Sequence, residues 1–275
     1  MTATLPITLR TPWRLTRPSP DLNPRSERPA PHRARDGAQE DHVSLYEGLV
    51  STRAIRWYTD ERVPDEALRD ILFAATRAPS GSNRQPFRFI VLTDGPVAAE
   101  GKRLIGEGAR RFWAAKREAD GYDKGSGSDT SSPKARLART MQHYVDNYES
   151  VPVLILACYV PYRQHRAASD AASIYPACQN LLLAARALGY GGVMTGWQAA
   201  AAPQLRALLG IPDNVELMAT ITLGRPQGRH GPVRRRPLPD LVFGERWEQP
   251  PSWAVDPKGV TFTAAGPPEQ PVRQT

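Results

Sequence analysis

Apolar positions recur along the middle of the chain with spacings that change from one segment to the next. Val43, Leu45, Leu49 and Val50 line one face of a short helix. Leu68, Ile71, Leu72 and Ala75 fall at i, i+3, i+4 and i+7, the stripe of an amphipathic helix, with Pro64 near its start. That helix should stop near Arg77, because the chain ahead of Pro79 avoids the α region. "FRFIVLTD" (87–94) reads as a strand closed by Asp94, Gly95 and Pro96. Leu104, Ile105, Ala109 and Phe112 place a helix over 97–118, and a second follows over 135–148. The Gly/Ser-rich stretch 120–134 between them reads as a mobile lid or an insertion.

"VPVLILACYV" is short and almost wholly apolar, as a strand covered on both faces would be. A helix over 169–188 follows. Its apolar residues run nearly all round, which buries it in a core or at a subunit contact, and Gly189 is its natural C-cap. After "GGVMTGW" come a small helix, "APQLRALLG", a turn at 212–214 and a last strand, "VELMATITLG". Three or four short strands interleaved irregularly with helices predict an α+β layered fold.

Composition places boundaries on this domain. Residues 1–42 hold seven arginines among prolines, serines and acids without periodicity, and 246–275 are again Pro-rich; both read as disordered flanks of a domain at 43–245. The net charge of +8 is concentrated in the first flank and in 225–246. No aromatic-interleaved basic face accompanies it, so solvated tails are the reading and nucleic acid is not the expected partner. No apolar run reaches the ~20 residues needed to span a bilayer. The two cysteines, Cys158 and Cys178, lie in strongly apolar segments and read as buried free thiols of a cytoplasmic protein. The five histidines show no metal-ligand spacing.

Four stretches carry candidate chemistry. In "ATRAPSGSNRQPFRF" (74–88), Gly81 permits close backbone approach, and the amides of Asn83 and Gln85 can read a heterocycle edge that shows C=O and N–H together. The alternative is a polar turn that satisfies only its own backbone. In "STRAIR", Arg53 and Arg56 sit three apart and can fork onto a phosphate, or form a solvated face. "PVRRRPLPD" puts Arg234 and Arg236 on one side of an extended segment and Arg235 on the other. "GYGGVMTGW" offers main-chain amides to a ligand but lacks the strand-first G-x-G-x-x-G context. No hydrolase elbow, P-loop or zinc signature accompanies them.

Taken in order, residues 51–94, "NYESVPVLILACY", "YPACQNLLLAARALGYGGVMTGW" and "ITLGRP" followed by "RRRPL" resemble the nitroreductase family over roughly residues 44 to 243. The resemblance implies a three-layer α+β homodimer with a central mixed or antiparallel sheet flanked by helices. It implies FMN bound at the subunit interface and an NAD(P)H oxidoreductase acting by hydride transfer through the flavin. The acceptor would be a nitroaromatic, a quinone or a similar small molecule. The family's Arg-Arg-Ser-x-Arg motif, which grips phosphate and ribityl chain, falls on Thr52, Arg53, Ala54, Ile55 and Arg56. Two of its arginines carry over, while Thr52 and Ala54 replace the first arginine and the serine. The Pro-Ser-x-x-Asn-x-Gln-Pro-Trp block falls on Pro79, Ser80, Asn83, Gln85 and Pro86, with Phe87 for the tryptophan. The resemblance sets Asn83 at the flavin edge, Gly192, Met194 and Thr195 against ring or ribityl chain, and Arg235 and Arg236 among the arginines closing on phosphate. No titratable catalyst is implied, since the cofactor performs the redox step. Two alternatives remain at this stage: the same fold with another flavin chemistry (dehalogenation, dehydrogenation or flavin fragmentation), or a non-catalytic flavin-binding or scaffold protein.

Overall fold

The central strand is β2 (Val153–Tyr159), and the rest of the fold is arranged around it. A computed structural model describes residues 43–161, 167–228, 233 and 235–257; the basic leader 1–42, Arg234 and the chain beyond 257 lie outside the described residues. Every residue of β2 is buried, as its unbroken apolar run predicts. Side chains alternate across a strand. Val153, Ile155 and Ala157 therefore enter one core, with Leu68, Ile71 and Ala75 of α2 (Asp65–Ala75) and Ile174, Cys178 and Leu181 of α5 (Ala167–Ala187). Leu154, Leu156 and Cys158 enter the other. There they meet Ile105 and Trp113 of α3 (Pro96–Ala119), Tyr144 of α4 (Pro133–Asp146) and Leu205 of α6 (Ala202–Leu209). Three layers result, as expected. Each fully buried Leu or Ile stabilises them by about 1.5–3 kcal/mol. Cys158 and Cys178 are buried free thiols, one in each core.

β2 pairs antiparallel with β1 (Phe87–Leu92) and β4 (Glu216–Gly224), and β4 pairs antiparallel with β3 (Gly191–Thr195). The order β1-β2-β4-β3 leaves β1 and β3 at opposite edges. The sheet is antiparallel throughout the described residues. Lys102 fastens α3 to this sheet: its buried ammonium donates to the carbonyls of Thr93 and Val151, each at 2.7 Å.

Three details differ from the sequence reading. Helix α1 (Leu45–Ser51) forms, capped by Ser44, but Leu45 and Leu49 of its expected apolar face are 74% and 53% exposed, while Val50 is half-buried. On α3 the buried aromatic is Trp113, while Phe112 is 54% exposed; a packing at 3.6 residues per turn admits one neighbour and turns the other out. Third, residues 246–257, expected to lack structure, fold back: Leu238 N–H donates to Asp256 Oδ1 at 2.9 Å, and Ala254 is buried.

Candidate functional site

Residues 52–59 leave α1 and run along the β3–β4 edge. Ile55 N–H donates to Gly192 O at 3.0 Å, Thr59 N–H to Arg225 O at 3.0 Å, and Gln227 N–H to Trp57 O at 3.0 Å. Ile55 thereby points into the protein against Gly191. Two expected site segments, 52–56 and 191–195, thus meet within one chain.

Arg56 lines a small cleft, about 160 Å³, together with Tyr58, Asp60, His143, Tyr144 and Gln227. Stacked and hydrogen-bonded side chains build the cleft wall. Trp57 stacks on His143 with ring centres 3.4 Å apart and planes 3° from parallel. Tyr58 and Tyr144 each share a hydrogen bond with Thr222 Oγ1, at 2.8 and 2.7 Å, and the Tyr58 hydroxyl also donates to Ile55 O at 2.7 Å. Yet among the described residues the buried Nε of Arg56 has no partner, and neither have the buried Thr195 Oγ1 on β3 and the Tyr148 hydroxyl. Burial lowers the pKa of Arg56. The nearby Tyr144 and Tyr58 oxygens offset part of this, and the charge of Arg53 adds to it. Arg56 remains a cation at neutral pH. A buried donor without a partner costs about 1–3 kcal/mol, which favours a site that takes up an acceptor.

The corner after α2 is built differently. Ser82, Asn83 and Gln85 hold φ of 52°, 51° and 51°, a left-handed conformation unusual without glycine. Gln85 N–H donates to Ser80 Oγ at 2.9 Å and Gln85 Nε2 to Asn83 Oδ1 at 3.2 Å, so part of this polar turn satisfies itself. Pro79, Asn83 and Gln85 are exposed, and Ser80 is half-buried.

These two corners do not share a cleft within one chain. The 79–86 corner enters β1 at Phe87, opposite Tyr159, whereas Gly191 and Gly192 face Gly224 and Leu223, beyond the other end of β2 at Val153. Three strand spacings sideways and the length of a strand lengthwise separate them by on the order of 20 Å.

The remaining candidates scatter around the Arg56 corner. Met194 is 40% exposed on β3. Gly192 also has a packing reason: an added Cβ would lie 2.4 Å from Thr222 O, so the missing side chain admits β4. Gly196, one residue past β3, has open space where a side chain would stand. Arg236 faces Asp240 at 3.5 Å, Arg235 is exposed, and Arg225 pairs with Glu61 at 2.6 Å. Sequence reasoning missed His143, Tyr144 and Tyr58. Nothing in their spacing joins residues 57–58 to 143–144; only the tertiary stack does.

Comparison with known proteins decides the family. A profile described as the Nitroreductase family matches residues 49–225. The chain belongs to this family. An NADH dehydrogenase of Thermus thermophilus is 32% identical over 198 residues, covering 70% of this chain and 92% of that protein. Iodotyrosine deiodinase 1 of Homo sapiens is 27% identical over 211 residues, covering 72% of this chain and 67% of that protein. Among solved structures, a protein from Desulfovibrio desulfuricans in complex with FMN is 29% identical, with TM-score 0.53 over 74% of this chain and 97% of that one. The NADPH:FMN oxidoreductase of Vibrio harveyi, complexed with NAD+, is 23% identical with TM-score 0.53 over 74% and 77%, a likeness of fold. No described helix of the nitroreductase-family chain is long and apolar enough to cross a membrane.

Proposed function

We propose that this chain is an FMN-dependent oxidoreductase that takes electrons from NADH or NADPH and works as a homodimer, with FMN held between two copies. The observation that carries the reading is the pair of buried, partnerless polar atoms, Arg56 Nε and Thr195 Oγ1, on elements joined by the Ile55–Gly192 hydrogen bond. They fit a flavin nucleotide, which brings acceptors to both. When bound, FMN supplies hydride transfer to a small acceptor such as a nitroaromatic or a quinone. The chain's own residues bind and orient. Arg53 and Arg56 hold the anionic end, with Arg235 and Arg236 closing over it. Thr195, Met194 and the Gly192 backbone flank the ring.

Pro79, Ser80, Asn83 and Gln85 of the second copy complete the site, because within one chain they sit at the far corner of the sheet. Leu45, Tyr46 and Leu49 on α1 and Phe73 on α2 are exposed, and supply apolar surface for that second copy to cover. A thiol in each core, shielded from the other by the sheet, supports a reducing cytoplasm.

Mixing tests this arrangement. Arg56→Ala and Asn83→Ala chains should each bind FMN poorly. After unfolding and refolding together, mixed dimers regain one intact site each, or about a quarter of all sites with random pairing. Mixing without recovery of flavin absorbance would sink the cross-subunit site. The deiodinase relative favours a second reading of the same site, reductive removal of a halide from a halogenated phenol. Halide released per NAD(P)H consumed separates the two.

A further inference from the structure

Ser51 and Thr52 end α1 immediately ahead of Arg53, and both hydroxyl protons are committed to that helix. Ser51 Oγ donates to Glu47 O at 2.6 Å, and Thr52 Oγ1 donates to Gly48 O at 2.6 Å. Neither hydroxyl has a proton left for an anion, and Ala54 has no polar side chain. The segment leading to Arg56 therefore begins with a gap in its donors.

A guanidinium from another element reaches that gap. Arg186 stands in the last turn of α5, and its Nε donates to Ser51 Oγ at 3.1 Å. Among the described residues this is the one polar contact of its side chain. A cation in the last turn of a helix complements the helix dipole, which is the purely structural account of the residue. That account leaves Nη1 and Nη2 without acceptors, half-buried, beside the residues just ahead of Arg53. It also leaves unexplained why the guanidinium is fixed through Nε on the turn that leads directly into Arg53.

We propose that Arg186 binds the phosphate monoester of the cofactor, providing from α5 the donor fork that Thr52 lacks. Ser51 fixes the guanidinium through Nε and leaves the outer nitrogens for phosphate oxygens, a geometry suited to a planar, multi-donor cation. The inference rests on the FMN reading above.

Riboflavin, which has the same ring and no phosphate, separates the two ideas. Full-length chain stripped of flavin is titrated with FMN and with riboflavin, following flavin fluorescence. The wild type should prefer FMN. Arg186→Gln should lower FMN affinity about 10- to 100-fold, the range of a lost charged hydrogen bond, and leave riboflavin unchanged. Adding Thr52→Arg to Arg186→Gln should recover most of the loss. In the otherwise unchanged chain, Thr52→Arg should gain less than about threefold, because its place is filled. An unchanged FMN-to-riboflavin ratio in Arg186→Gln overturns the role of Arg186 and leaves the FMN site standing. If Arg186→Gln does not fold, a gain of about tenfold or more from Thr52→Arg alone overturns it equally. A wild type that does not distinguish FMN from riboflavin removes the phosphate site, and Arg186 with it.

Discussion

The Arg56 corner and the Asn83 corner carry the same kinds of group, amides and guanidiniums beside an aromatic residue, yet the fold treats them oppositely. At Arg56 the backbone is regular, the walls are stacked or hydrogen-bonded, and the unmet demand lies in a buried side-chain atom. At Asn83 the side chains are exposed and partly satisfied by one another, and the cost lies in three left-handed backbones. On the proposed reading, the first corner supplies buried donors and the second a preshaped polar edge, and the two belong to different copies in one site.

Substitutions should break the two corners differently. The largest effect is expected from Arg56→Ala. Loss of its charged hydrogen bonds lowers FMN affinity by about 100-fold in an equilibrium titration. Next comes Tyr144→Phe, which removes the bond to Thr222 Oγ1 and should cost about 1–2 kcal/mol in denaturant unfolding. Asn83→Ala should reverse that pattern, with about tenfold weaker FMN binding but a stability change near 1 kcal/mol, the cost of alanine in a left-handed backbone. The smallest effect belongs to Asp240→Asn. Releasing the exposed Arg236 pair should change stability by less than about 0.5 kcal/mol.

Alkaline pH should act on the tyrosines around the Arg56 corner. Burial raises the pKa of Tyr58, Tyr144 and Tyr148 above the ordinary 10.0. An unfolded chain releases those protons near pH 10 while the folded chain keeps them, so their contribution is full below pH 10 and falls as pH rises beyond it; the buried thiols Cys158 and Cys178, pushed up to about 11 and about 12, begin the same loss from the ordinary 9.0. Tyr144→Phe removes one titrating group and should shallow that fall. An equal slope in both proteins would show that the loss originates elsewhere.

Much of this was legible in the chain. The buried run of β2 and the stripe on α2 follow from local spacing, and spacing is what a sequence displays. The paired motifs also named Arg56 and Asn83. What spacing did not display was orientation. Phe112 and Trp113 are neighbours on one helix, and the facing layer decides which one is buried. The close approach of Thr222 O to the space a Gly192 side chain would fill is likewise invisible in the spacing. Tyr144 is nearly ninety positions from Tyr58, and only Thr222 connects them.

β2 also imposes an order on biosynthesis. Its first partner, β1, precedes it, but its second, β4, ends at Gly224, about sixty-five residues later. Until that segment leaves the ribosome, an apolar strand has one edge and much of both faces open. The chain not yet released through residue 224 therefore carries an apolar strand with one unpaired edge, the form most open to association with other chains.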